Sequence, residues 1–348
     1  MRVSIRVAVI AGCVLLVGCS AAPALPVTSA VSPSSVGPSA TPPVGSPFGA
    51  PSVAGSPRPS SAATATGIGG FTVGGDRPVT IQVPPGLDPQ KPAPLLMFLH
   101  GFGIPSSEHE AFQTLAQVAA ARGVLYLQPV GTVNPQGDSF WNATDACCDI
   151  GHSGVDDSSY LAGLIEAIRA RVAVDPRRIF VVGHSNGGFM SYRMACDHSD
   201  VIAAIVSLAG ASFADRADCQ PSEPVAILEI HGSDDDVVDV VGGSLSGLLG
   251  PGDDTLADFP PTHGSLAAWA TYDGCTSQLP PRPAALDLDP DLRIATGANE
   301  TTVTVSAGCA PGGHVELWML EGGGHDPSVS PALVTALIDF LLAHPKPA

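Results

Sequence analysis

The chain is 348 residues long, 45% hydrophobic and only 14% charged, and its 33 acidic side chains outnumber 15 basic ones for a formal charge of −18. That much apolar sequence can bury a large core, while the acidic excess makes nucleic acid and anionic lipid headgroups poor partners. The charges are too sparse to form a tail, so the acidity belongs to a soluble surface.

Arg2 and Arg6 precede an apolar run from Val7 to Val17. The run is short for a membrane span and has the layout of a secretory signal. It ends in Leu16-Val17-Gly18-Cys19, which resembles a bacterial lipobox. Residues 1–18 are therefore expected to be removed and Cys19 to carry acyl chains, tethering the protein outside the cytoplasm, at the membrane or cell surface of a bacterium. From Ser20 to about Gly67 the sequence is almost wholly Pro, Ser, Ala, Thr, Val and Gly, with Arg58 the only charge. Such a segment buries too little to offset its ordering entropy and reads as a flexible tether. Residues 68–348 are then expected to form one folded domain and to act as a monomer.

Within that domain, Phe71–Gly75 and Pro78–Val83 predict a hairpin, and Leu95–Leu99 is a continuous apolar run of the kind buried on both faces of a sheet. Ala111–Arg122 predicts a helix and Val124–Gln128 a strand. Asp156 and Asp157 suit the start of a helix over Ser158–Val172. Ile179–Val182 is the next strand and Gly188–Cys196 its helix; Ile202–Leu208, Val225–Ile230 and Val315–Leu320 are further strands, with helices at His263–Tyr272 and Pro331–Ala343. Strands alternating with helices predict an α/β fold, a mostly parallel central sheet with helices on both faces. Gly242–Pro261 reads as a lid, a substrate-binding loop or a solvated insertion.

Of eight cysteines, Cys13 lies in the signal and Cys19 at the lipid site, which leaves Cys147, Cys148, Cys196, Cys219, Cys275 and Cys309. An even number in an exported chain predicts three disulfides, and no spacing suggests zinc, so no metal is expected. Adjacent Cys147 and Cys148 are expected to bond to different partners. Cys275 and Cys309 are expected to pair across an otherwise floppy excursion around Pro280–Leu292, with the other four unassigned.

The strand at Ile179–Val182 runs straight into Gly183-His184-Ser185-Asn186-Gly187-Gly188 and a helix. A reversal that tight needs residues without a Cβ on both sides of its tip, and it leaves Ser185 exposed in a strained conformation suited to a nucleophile. A serine hydroxyl needs a base, and the base needs a carboxylate to fix its tautomer. His325 follows the strand at Val315–Leu320 through Glu321-Gly322-Gly323-Gly324, and Asp234, Asp235, Asp236 and Asp239 follow the strand at Val225–Ile230. The order Ser, Asp, His is that of α/β-hydrolases. An oxyanion would be held by two backbone N–H groups, one from Asn186 and one from the loop His100-Gly101-Phe102-Gly103, where Phe102 is the candidate. His100 and His231 read as buried, hydrogen-bonded turn residues and His184 as packing within the elbow.

From about Val79 to Leu342 the chain resembles the secreted polyhydroxybutyrate depolymerase and feruloyl esterase group, related to carbohydrate esterase family 1. The resemblance is carried by Leu99-His100-Gly101, Trp141-Asn142 with Cys147-Cys148, Val155-Asp156-Asp157, Val174-Asp175-Pro176-Arg177-Arg178-Ile179, the elbow around Ser185, His231-Gly232 and Gly322-Gly323-Gly324-His325. It implies an α/β-hydrolase fold and a serine esterase that works without metal or organic cofactor. Its substrates would be small carboxylic esters, feruloyl or acetyl polysaccharide esters, or hydroxyalkanoate polyesters. The family's acid turn, His-Gly-Thr-x-Asp, two residues and a Val, places the acid on Asp235. Phe102 and Trp141 are expected to line the substrate cleft. Where family members continue the histidine turn with Trp-Pro-Gly, this chain has Asp326-Pro327-Ser328, so the pocket wall there is expected to differ. A non-catalytic lipoprotein that binds polysaccharide or lipid and a serine peptidase of similar fold are the competing readings.

Overall fold

The computed structural model describes residues 70–88, 90–103, 110–247, 256–292 and 299–348. They belong to one compact unit, Ala62–Ala348. The expected signal, Cys19 and the whole of the expected tether lie outside the described residues, as does the middle of the Gly242–Pro261 segment. Among the described residues no helix is long and apolar enough to cross a membrane.

The expected opening hairpin is present as β1 (Thr72–Val73) and β2 (Val79–Thr80), paired antiparallel. The core of the fold is six parallel strands: β3 (Ala93–Leu99), β4 (Leu125–Leu127), β7 (Val174–His184), β8 (Ala204–Leu208), β9 (Ala226–Gly232) and β13 (His314–Leu320). They lie in the order β13-β9-β8-β7-β3-β4. A small antiparallel pair, β5 (Thr132–Val133) and β6 (Ser139–Phe140), follows β4.

Every side chain of β3, β8 and β9 is buried, as continuous apolar runs require in a sheet covered on both faces. Alternation along each strand divides them between two cores. Leu95, Met97 and Leu99 join Ile179, Val181, Ile205 and Ile227 on one face, under α2 (Asp157–Arg169), α3 (Asn186–Asp197) and α4 (Thr262–Tyr272). Leu96 and Phe98 join Phe180, Val182, Val206 and Leu228 on the other, under α1 (Glu110–Ala121) and α5 (Pro331–Ala343). Two of these helices start as their sequences require. The Asp156 side chain accepts the Ser159 N–H at the start of α2, and Ser330 accepts the Leu333 N–H with Pro331 in the first turn of α5.

Two stretches differ from the sequence expectation. β7 begins at Val174, earlier than its apolar run, and carries Pro176 where its register with β3 shifts, because proline cannot donate to a ladder. The described part of the stretch between Cys275 and Cys309, Pro280–Leu292 included, is not a floppy excursion. β10 (Ser277–Gln278) and β11 (Arg282–Leu286) pair antiparallel with β12 (Thr301–Ala307), which pairs antiparallel with β13 and extends the sheet. Its Pro283 sits on the outer strand, where a missing donor costs no ladder bond.

The cysteines pair as Cys147–Cys148, Cys196–Cys219 and Cys275–Cys309. The expected Cys275–Cys309 bridge is there. The expectation for Cys147 and Cys148 is corrected, since they bond to each other: both are buried, and with the other two bridges closed the neighbouring sulfur is the partner within reach.

Candidate active site

The register aligns Leu99 with Gly183, His184 with Leu208, Leu208 with Ile230 and Gly232 with Leu320. The carboxyl ends of β3, β7, β9 and β13 therefore lie along one edge of the sheet, where reactive groups collect in such folds. One residue, Ser185, separates β7 from α3. Its φ of 53° and ψ of −120° are a strained conformation for a residue with a side chain. The turn is held by the Ser185 N–H donating to Leu208 O at 2.8 Å and the Phe189 N–H donating to Ser185 O at 3.0 Å. Only glycines fit beside it, because a Cβ on Gly183 would strike the Gly187 carbonyl and one on Gly187 the Leu99 carbonyl.

His325 reaches this serine from the end of β13. Its Nε2 lies 2.9 Å from Ser185 Oγ, and its Nδ1 lies 2.9 Å and 3.1 Å from the Asp235 carboxylate oxygens. The two supporting loops are knitted together: the Asp234 N–H donates to Gly323 O, the Ser233 N–H to Leu320 O and the Gly322 N–H to Ser233 Oγ. A Cβ on Gly232 would collide with the Gly323 and Gly324 carbonyls, so glycine is what allows the contact. Asp235 turns inward while Asp234, Asp236 and Asp239 face solvent.

Burial alone would raise the Asp235 carboxyl. Hydrogen bonds from His231 and His325, the charge of His325 and the Val237 N–H together hold it well below the usual carboxylate range. Asp235 is thus an ionised acceptor, which puts the His325 proton on Nδ1 and leaves Nε2 free to accept the serine proton.

The loop after β3 presses against Ser185, since a Cβ on Gly101 would stand 3.4 Å from Ser185 Cβ. His100 locks this loop: its Nε2 accepts the Gly131 N–H at 2.9 Å, so its Nδ1 carries the proton and donates to Gly101 O at 2.7 Å. The Gly103 N–H donates to Ser139 O. Asn186 opens α3, where backbone N–H groups have no partner within the helix. Its side chain accepts the Trp141 N–H at 2.8 Å and donates to Trp141 O at 2.9 Å and to Cys147 Sγ. Among the described residues, no cluster of His, Cys, Asp and Glu is placed to hold a metal ion.

Residues 96–337 match the alpha/beta hydrolase family. This chain belongs to the alpha/beta hydrolase family.

This alpha/beta hydrolase is related to feruloyl and acetylxylan esterases. It is 29% identical over 252 residues to feruloyl esterase B of Piromyces equi, a match covering 72% of this chain and 42% of the relative. It is 23% identical over 255 residues to the bifunctional acetylxylan esterase/xylanase XynS20E of Neocallimastix patriciarum, covering 73% of this chain and 32% of the relative. The chain thus spans less than half the length of either. Among solved structures, an acetyl xylan esterase from Aspergillus awamori superposes with a TM-score of 0.54 at 15% identity, over 78% of this chain and 97% of that one, which shows a shared fold.

Other expected residues of this alpha/beta hydrolase fall in different places. Phe102 is half-buried beside the site. Trp141 does not line a cleft: its ring is fully buried, donates from Nε1 to His100 O at 3.1 Å and backs the loop after β3. A tryptophan near the site in sequence reads as a binding surface, but an indole N–H with a buried carbonyl to satisfy is drawn inward. His184 lies within the elbow, its Nε2 3.1 Å from His325 O and 3.4 Å from the exposed Asp326 carboxylate. A charged side chain thus stands next to His325 where the resembling family has tryptophan. Contacts that sequence reading did not reveal are those of the Asn186 side chain and those of His231 with Asp235.

Proposed function

We propose that this chain is a serine carboxylic-ester hydrolase that works through an acyl-enzyme. The observation that carries the reading is the unbroken hydrogen-bonded series Ser185–His325–Asp235 at the rim of the sheet. Ser185 Oγ attacks the ester carbonyl while His325 Nε2 takes its proton, and Asp235 stabilises the imidazolium that forms. The oxyanion is met by the backbone N–H groups of Asn186 and Phe102. His325 then returns the proton to the departing alcohol, and a water activated by the same nitrogen releases the acid. The names of the relatives favour feruloyl or acetyl esters of polysaccharides as substrates over hydroxyalkanoate polyesters.

The test is hydrolysis of p-nitrophenyl acetate, methyl ferulate, acetylated xylan and polyhydroxybutyrate by wild type and by Ser185→Ala. Loss of about 10⁴-fold or more in the variant is expected, as when a triad member is removed elsewhere. A variant that keeps most of the activity, or a wild type inert on every ester, would defeat the reading and favour a binding protein on a hydrolase scaffold.

The sequence from Leu16 to Cys19 supports a further proposal, that the enzyme works outside the cytoplasm on an acylated Cys19. Cys19→Ser should then move the protein from the membrane fraction to the soluble one; unchanged partitioning would count against the anchor.

A further inference from the structure

Asp235 has a second histidine behind it. His231, near the end of β9, is buried, and its Nε2 lies 3.2 Å from Asp235 Oδ2 and 2.7 Å from Val238 O. Its Nδ1 lies 2.9 Å from Oε1 of Glu229, which is also fully buried, two residues back on the same face of the same strand. The Asp235 carboxylate is therefore held between two imidazoles, His325 toward the nucleophile and His231 toward the core.

The hydrogen bonds fix the protons. Val238 O and the Asp235 carboxylate can only accept, so His231 Nε2 bears a hydrogen. Glu229 Oε2 receives the Tyr192 hydroxyl at 2.9 Å, and Oε1 receives the Gly210 N–H at 3.3 Å. Burial pushes the Glu229 carboxyl up while the hydrogen bonds and charge of His231 and the Tyr192 hydroxyl pull it down; donors converge on both oxygens, which is the surrounding of a carboxylate, and a carboxylate facing His231 Nδ1 draws a hydrogen there too. His231 then carries two ring N–H groups and a positive charge. Burial alone would lower its pKa, but the hydrogen bonds to Asp235 and Glu229 and the charge of Glu229 push it up to about 10. The titratable groups facing His231 are Glu229 on its own strand and Asp235 on the following turn, with Tyr192 of α3 behind Glu229; Thr262 of α4, with its hydroxyl 3.4 Å from Nδ1, closes the remaining side.

Resting on the esterase reading above, we propose that His231 is a positioning residue for the reaction: an imidazolium, kept charged by Glu229, that fixes Asp235 from the core side and tempers the carboxylate's pull on His325. The physical reason is distance. The positive ring touches Asp235 directly while the negative Glu229 stands behind it, so the net field of the pair at Asp235 and His325 is positive. A triad acid with no such partner would make His325 more basic. It would then be protonated, and unable to take the serine proton, over a wider range of low pH.

Glu229→Gln keeps the shape of the side chain and removes the charge that, beside Asp235, holds His231 protonated. The neutral ring can still donate from Nε2 to Val238 O while Nδ1 accepts from the new amide. Two measurements decide the matter. In wild type labelled with ¹⁵N-histidine, one histidine should remain doubly protonated at pH 8, and that signal should vanish in both Glu229→Gln and His231→Gln. With p-nitrophenyl acetate, the acid limb of kcat/KM should move to higher pH in Glu229→Gln, by about half a unit to one unit. A wild type without a doubly protonated histidine at pH 8 would overturn the proposal even if the variants fail to fold. An active Glu229→Gln enzyme with an unmoved limb would overturn it as well and leave the esterase reading standing, whereas a wild type that hydrolyses no ester would overturn that reading first.

Discussion

The two ends of the sheet are built on different principles. From β13 to β4 the strands are parallel, β3, β8 and β9 are buried along their whole length, and Ser185, Asp235 and His325 hang from the carboxyl ends of β7, β9 and β13. Beyond β13 the strands β12, β10 and β11 run antiparallel; β10 and most of β11 are exposed, and the Cys275–Cys309 bridge ties this extension together. In the first region position is set by burial: strands that cannot slide without exposing core side chains hold Ser185, Asp235 and His325 in register. In the second, little apolar surface is available, and a covalent link substitutes for it. Changes in the first region should therefore alter chemistry, and changes in the second should alter stability.

The largest expected effect lies in the buried region. Asp235→Asn keeps the shape of the acid but releases His325 into the wrong tautomer, so turnover should fall by on the order of 10³ to 10⁴. Asp234→Asn and Asp236→Asn, whose side chains face solvent, should stay within about tenfold of wild type. Steady-state rates with one activated ester decide it, and a severe loss at Asp236 with Asp235→Asn near normal would reassign the acid.

The smaller effect is in the antiparallel extension. Replacing Cys275 and Cys309 with serine opens a loop with a sequence separation of 34, and unfolding stability should drop by roughly 3–4 kcal/mol. Turnover at a temperature where the variant is folded should be unchanged. Denaturant unfolding and rates measured side by side would break the comparison if the loss appeared in kcat and not in stability.

The same division governs what the sequence reveals. The buried strands announce themselves as apolar runs, and α5 occupies the very residues expected from the sequence, Pro331–Ala343. The elbow at Ser185 is legible because glycines stand where a Cβ would collide, and the histidine turn because three glycines in a row lead from a strand to His325. Choosing Asp235 among four nearby acids required the family resemblance, since their side chains differ only in which way the turn points them. β11 and β12 were hidden because proline and alternating threonines carry little apolar signal, and their pairing is a long-range fact. Trp141 misled because sequence shows that an aromatic is near the site but not whether it points inward. The Cys147–Cys148 bond and the contact of His231 with Asp235 depend on which partners the rest of the fold has already taken.

The central claim is that Ser185 is the nucleophile, and covalent labelling tests it most directly. A fluorophosphonate incubated with wild type should add one adduct per chain, mapped by peptide mass spectrometry to Ser185, and His325→Ala should slow that labelling severely. Labelling at another serine, or equal labelling rates with and without His325, would contradict the account.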